Sequence, residues 1–140
     1  MQKPLITVVV PSLNQAEFLE QALVSIFKQP VATEVFVMDG GSTDDSIRII
    51  KKWEHQLAGW RSYPDQGQAA AINEGIRLGN GEFVCWLNSD DYFLPGALET
   101  MVAALQAHPS APAGYGRAWN YVQTTGKMTP VQVEIFNPRR

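Results

Sequence analysis

Apolar runs and helical stretches alternate along this chain, which predicts an α/β fold: a mostly parallel central sheet flanked by helices, followed by a C-terminal β-hairpin. Three observations carry the prediction. Four short apolar runs, at 5–10, 34–39, 60–63 and 82–87, are each followed by a segment with helical spacing. Gly, Pro, Asn and Ser punctuate the junctions between them. After "HPSAPAG" (108–114) the pattern changes to two extended stretches with Thr125-Gly126 near the turn between them.

The first run, "LITVVV" (5–10), is continuous and β-branched, as expected of a strand covered on both faces, and it stops at Pro11-Ser12. Phe18, Leu19, Ala22, Leu23, Ile26 and Phe27 then mark a helical face; Asn14 and Glu17 have the spacing of a capping box, and Pro30 lies just past the end. "EVFVMD" (34–39) is the second strand. "GGSTDDSIRIIKKWEHQL" (40–57) reads as a Gly-rich turn, a Ser/Thr cap, an acidic first turn and a helix carrying Ile47, Ile50 and Trp53. A short strand at "WRSY" (60–63) runs through "PDQGQ" into the helix "QAAAINEGIRLG" (68–79), with Gly79-Asn80-Gly81 as its stop. "EFVCWL" (82–87) is the fourth strand. Pro95 is expected to open a last helix with Leu98, Met101, Val102 and Leu105 on one face. Tyr115, Trp119 and Tyr121 on the hairpin are expected to pack against that helix, a sugar-stacking platform being the alternative.

Composition excludes several classes. The 140 residues fit one domain, 1–140, with 45% hydrophobic and 18% charged residues. A net charge of −3 and the lack of any Lys/Arg block give no electrostatic footprint for nucleic acid. No apolar stretch approaches the roughly 20 residues of a membrane span, and the N-terminus lacks a secretory cleavage pattern. The lone Cys85, inside an apolar run, reads as a core residue. The expected location is the cytoplasm, with peripheral attachment to the inner face of the membrane left open.

The functional signal is acidic. Ligands of open parallel sheets bind beyond the carboxyl ends of the strands. Asp39 ends the second strand, Asp65 follows the third, and Asp90 and Asp91 follow the fourth. The spacing is roughly one βαβ step, so all four are expected on one rim. Singly, each has a structural explanation: Asp39 and Asp65 as turn formers, the Asp90–Asp91 pair as a complement to the next helix dipole. Together they repel unless a positive charge intervenes, which points to a divalent cation sharing phosphate oxygens. A P-loop and a G-x-G-x-x-G fingerprint are both missing; "PSLNQAEF" instead offers exposed backbone to lie against a base.

At this point the chain resembles the family 2 glycosyltransferases, whose nucleotide-binding fold is called GT-A. The matching stretches are "TVVVPSLNQAEFLEQALVSIFKQ", "EVFVMDGGSTDDS" and "DQGQAAAINEGIRLGNGEFVCWLNSDDYFLPGAL", together covering about residues 5–105 in the family's order. The resemblance implies a Rossmann-like donor domain and inverting transfer from a nucleotide-diphospho sugar, a UDP-sugar first, to an acceptor hydroxyl on a saccharide, a lipid-linked sugar or a protein. It implies backbone contacts to the base near Pro11 and Leu13, a base contact from Asp39, and a nucleoside pocket lined by Asp65 and Gln68. Where the family carries an Asp-x-Asp metal motif, this chain has Asn88-Ser89-Asp90-Asp91, so Mg²⁺ or Mn²⁺ would fall to Asp90 or Asp91 while Asn88 hydrogen-bonds. An arginine common in relatives near Ile72 is absent.

No general base is identified. His55 and His108 fall near helix ends and Glu134 lies in the tail, so the base and the acceptor-side half are expected outside this chain. A homodimer is compatible with an exposed acceptor side. The alternative reading is a non-catalytic nucleotide- or partner-binding module that keeps the fold. A sugar-phosphate nucleotidyltransferase is disfavoured, because "PSLNQAEF" is neither Gly-rich nor basic.

Overall fold

The computed structural model describes residues 3–132. Four strands form one parallel sheet: β1 (Ile6–Ser12), β2 (Thr33–Asp39), β3 (Gly59–Ser62) and β4 (Phe83–Trp86), in the order β3-β2-β1-β4. The helices α1 (Ala16–Phe27), α2 (Ser46–Trp53), α3 (Gln68–Leu78) and α4 (Ala97–Ala107) alternate with them. A separate antiparallel hairpin, β5 (Trp119–Val122) and β6 (Lys127–Pro130), follows.

Strand periodicity divides the core. Val8 and Val10 of β1 and Val35 and Val37 of β2 share one face, packed with Leu19, Leu23 and Ile26 of α1, Ile50 of α2, and Leu98 and Val102 of α4. Val9, Phe36 and Met38 point the other way, onto Ala71 and Ile76 of α3. The contact there is close: a Cβ on Gly75 would lie 2.5 Å from Val9 Cγ1.

Several local expectations need correction. β1 does not stop at Pro11-Ser12 but runs through both, paired with Met38 and Asp39. In a strand, Pro11 faces the same side as Val9, whose carbonyl accepts from Leu87 N–H just past the end of β4. Pro11 thus lies beyond the last paired residue of that neighbour, Val9 opposite Trp86, at an end of the ladder where a strand tolerates proline.

The Asn14–Glu17 capping box does not form: α1 has no side-chain cap from its own start. Asn14 instead sits in the left-handed region (φ 52°) and bonds across to residues 42–43. α4 begins at Ala97 rather than Pro95, because Gly96 (φ 73°) breaks the line between them. Gly79 ends α3 in an extended conformation, not a left-handed cap. It and Gly81 are glycines for space, since any Cβ there would collide with Thr7. Tyr115 (66% exposed), Trp119 (45%) and Tyr121 (47%) are not buried under α4. Tyr121 meets Tyr92 edge-on, ring centroids 6.3 Å apart.

No helix among the described residues is long and apolar enough to cross a membrane.

Candidate functional site

The carboxyl ends of β1, β2 and β4 open into a cleft of about 350 Å³. Pro11, Ser12 and Leu13 come from β1 and its exit, Met38 and Gly40 from β2 and its exit. Asp65, Gly67, Gln68 and Ala71 come from the approach to α3 and its first turn, and Asn88, Ser89 and Asp90 from the loop after β4. Six of the eight residues singled out in the sequence, Pro11, Leu13, Asp65, Gln68, Asn88 and Asp90, therefore meet on one cleft. Asp39 and Asp91 do not line it.

The four carboxylates are placed differently from a single repelling cluster. Asp39 is fully buried. Its Oδ2 accepts from Gly41 N–H (3.0 Å), Ser42 N–H (2.8 Å) and the Ser62 hydroxyl (2.7 Å), and its Oδ1 from the Ser42 hydroxyl (2.5 Å). These bonds fold the 40–42 turn onto the end of the sheet. Asp65 is paired within the protein: Arg61 Nη1 lies 2.9 Å from its Oδ2, while its Oδ1 accepts from Gly67 N–H at 2.8 Å.

Arg61 joins several elements and was not singled out in the sequence. Its side chain is 11% exposed and also reaches Glu74 (2.7 Å) and the Asp39 carbonyl (2.6 Å), with its guanidinium 4.4 Å from the Tyr63 ring centroid. Hydrogen bonds from Arg61, then from the Tyr63 hydroxyl, hold the Glu74 carboxyl below the usual range. A lone Arg in a short strand reads as a solvent-facing residue; its partners are assembled only when β3 and α3 pack.

Asn88 bridges the two sides of the cleft. Its Oδ1 accepts from Gln68 Nε2 (2.6 Å), and its Nδ2 donates to Asp91 Oδ2 (3.2 Å). Asp91 is thereby drawn towards Asn88 while Asp90 stays exposed on the cleft wall. The loop is held from behind by α1. The Ser25 hydroxyl accepts from Phe93 N–H (3.0 Å). Buried Gln29 donates to the carbonyls of Ser25 and Leu94 (3.1 Å each) and accepts from Leu98 N–H (3.1 Å).

Among the described residues no group of three or more His, Cys, Asp or Glu side chains is arranged to hold a metal ion by itself. The donor set fits a hard cation that arrives with its ligand. Mg²⁺ commonly takes one or two carboxylates and completes its shell with phosphate oxygens and water, and Asp90 offers such a carboxylate on the wall. His55 and His108 are exposed and do not line the cleft, and Glu134 lies outside the described residues. Cys85 is partly buried against the core; desolvation pushes its thiol up to about 11, which leaves little thiolate at neutral pH.

Comparisons with known proteins agree with one another. The family model described as "Glycosyl transferase family 2" matches residues 7–139. Chondroitin synthase from Escherichia coli is 31% identical over 99 residues, covering 69% of this chain and 14% of that protein. The succinoglycan biosynthesis protein ExoU of Rhizobium meliloti is 31% identical over 101 residues, covering 70% of this chain and 30% of that one. Among solved structures, S. aureus TarS 1–349 in complex with UDP-GlcNAc aligns with a TM-score of 0.67 at 28% identity, over 75% of this chain and 32% of that chain. The mannosyltransferase PcManGT from Pyrobaculum calidifontis, in complex with GDP-Man and Mn²⁺, aligns with a TM-score of 0.63 at 29% identity, over 75% and 32%. The chain thus spans a third or less of each of these four proteins.

Proposed function

Because the chain belongs to glycosyl transferase family 2 and has its GT-A fold, we propose that the cleft binds the nucleotide-diphospho sugar of a metal-assisted, inverting glycosyl transfer. The observation that carries this reading is the meeting of Pro11, Leu13, Asp65, Gln68, Asn88 and Asp90 on one cleft at the carboxyl edge of the sheet. The apolar wall at Pro11 and Leu13 suits a base, and the polar groups of Asp65 and Gln68 suit a ribose. Asp39 acts through the turn it folds; its Oδ1 accepts only from the Ser42 hydroxyl and has a lone pair left, but a base N–H reaches it only if the 40–42 turn moves, because Asp39 is fully buried. Nucleotides bound by the structural neighbours, UDP-GlcNAc and GDP-Man, support a nucleotide-sugar donor without choosing the base.

Asp90, with Asp91 beside it, would hold Mg²⁺ or Mn²⁺ against the diphosphate. The bound cation supplies electrostatic stabilisation to the leaving diphosphate. Asn88 ties the Asp91 carboxylate and Gln68 of α3 to one another, holding Asp91 next to Asp90. In this reading the chain acts as a donor-binding unit, with the acceptor site and the general base supplied outside the described residues. A non-catalytic module is the second reading, favoured by Asn88 standing where an acidic residue would open the metal motif.

Calorimetric titration of the purified chain with UDP and with GDP, with and without Mn²⁺, is the test. The expected result is binding of one nucleotide that strengthens with Mn²⁺, and loss of that increment in Asp90→Ala. No binding of either nucleotide under any condition would overturn the donor reading in favour of the module.

A further inference from the structure

Two loops with no covalent tie face each other at the mouth of the cleft. Leu13 and Gln15 line it from the loop after β1, and Gly40 from the loop after β2. Asn14 joins them. Its backbone N–H donates to Ser42 Oγ (2.8 Å), and its Oδ1 accepts from Thr43 N–H (2.8 Å). Asp44 returns the connection, accepting from Ala16 N–H (3.0 Å) at the start of α1. Hydrogen bonds from Ser46 foremost, then from Ala16, hold the Asp44 carboxyl below its ordinary range. Ser42 then donates to buried Asp39. A continuous path of hydrogen bonds runs from the backbone of one loop, through a hydroxyl, to the carboxylate beneath the other.

This geometry depends on an unusual backbone. Asn14 is the one non-glycine residue with positive φ among the described residues. A left-handed residue costs most side chains free energy, whereas Asn tolerates it. At this position the left-handed turn aims the N–H and the side-chain amide of one residue at the same neighbouring loop. Such outliers persist where surrounding structure over-determines them. Here the over-determination consists of cross-loop bonds, not bonds within α1, whose own start Asn14 leaves uncapped.

We propose that Asn14 is a positioning residue of the cleft: it locks the β1–α1 loop to the β2–α2 loop before ligand arrives, so that Leu13 and Gly40 present a preformed wall to the nucleotide. The nucleotide part rests on the donor reading above; the lock itself does not. Preorganisation of this kind lowers the ordering cost of binding. Asn14 itself does not line the cleft. Its effect falls on affinity.

Amide hydrogen exchange and calorimetry on three variants test this. Asn14→Asp keeps an acceptor and tolerates positive φ, Asn14→Gly keeps the turn but loses the acceptor, and Asn14→Ala loses both. Thr7→Val serves as a stability control at the opposite end of the sheet, where Thr7 bonds Glu34 and Gly81. The expected result is at least about tenfold faster exchange at Thr43 in the Gly and Ala variants, and Kd for UDP with Mn²⁺ raised about tenfold, the size of one lost hydrogen bond. Asn14→Asp should restore both, and Thr7→Val should lower Tm without moving Kd.

Unchanged Thr43 exchange in all three variants would overturn the lock. Unchanged Kd in Asn14→Gly and Asn14→Ala, with the wild type binding, would overturn its role in the cleft. If the wild type binds neither UDP nor GDP, the donor reading fails and the role in the cleft with it, while the exchange of Thr43 still decides the lock.

Discussion

Gly75→Ala is a one-carbon change with a large expected cost. Alanine is the better helix former, and in an exposed helix interior the substitution would add about 1 kcal/mol of stability. Here the new Cβ would sit 2.5 Å from Val9 Cγ1 and 2.8 Å from Cγ2, where ordinary contact begins near 3.4 Å. Val9 cannot swing away: it is fully buried on a central strand, both of its methyls are in the path, and its χ1 is stiff. α3 must therefore lift from β1 by several tenths of an ångström. Overpacking costs about 1–3 kcal/mol; with two contacts below 3.0 Å the upper part of that range, about 2–3 kcal/mol, applies, and less the helical gain the net loss is about 1–2 kcal/mol, so Tm falls by roughly 3–8 °C. In a Val9→Ala background both methyls are gone, and the same Gly75→Ala change should be neutral or stabilising, a coupling of about 2 kcal/mol. Urea denaturation followed by tryptophan fluorescence on the four proteins of the cycle measures it. Equal cost of Gly75→Ala in both backgrounds, or stabilisation of the wild type, would refute the steric account.

Arg61→Met should lower stability by about 2 kcal/mol, between the values for exposed and buried ion pairs. Because Glu74 is held below its ordinary pKa by Arg61 and Tyr63, its contribution is present at neutral pH and lost as pH falls below about 4; the variant should show a shallower acid limb in pH-dependent denaturation. Cys85, with its thiol pushed up to about 11, should react with a thiol reagent at pH 8 about two orders of magnitude more slowly than free cysteine. Folded protein keeps this proton longer than unfolded chain, so stability should fall as pH rises from about 8.5 towards 11, and less so in Cys85→Ala. Asn88→Asp puts a second hard oxygen on the cleft wall beside Asp90; nucleotide affinity should rise in the presence of Mn²⁺ and fall without it, as read by titration.

The strands and the sheet direction were legible because each is a short apolar run whose alternation with helices leaves few arrangements. The rim was legible for a related reason: a carboxylate just after a parallel strand has one end of the sheet to occupy. What the sequence left hidden is what those carboxylates hold. Asp39 and Asp65 reached the expected edge but are satisfied by Ser42, Ser62 and Arg61, partners that local spacing does not reveal. The capping-box spacing at Asn14 misled because the same side-chain oxygen that caps a helix also bonds a neighbouring loop, and only the fold decides which amide is closer. The hairpin aromatics were expected to pack against the last helix, yet every residue of β5 is exposed.

Gln29 has a consequence for how this molecule can change. One amide grips Ser25, Leu94 and Leu98, and with Ser25 on Phe93 it pegs the stretch from 93 to 98 at three points. Two residues, Asp91 and Tyr92, separate Asp90 from the first peg. An insertion between the pegs must bulge outward or pull one loose, whereas a substitution leaves the spacing untouched. Diversification between Phe93 and Leu98 is therefore channelled into exchanging side chains on a backbone of fixed length, and changes of length fall to the two residues before the first peg.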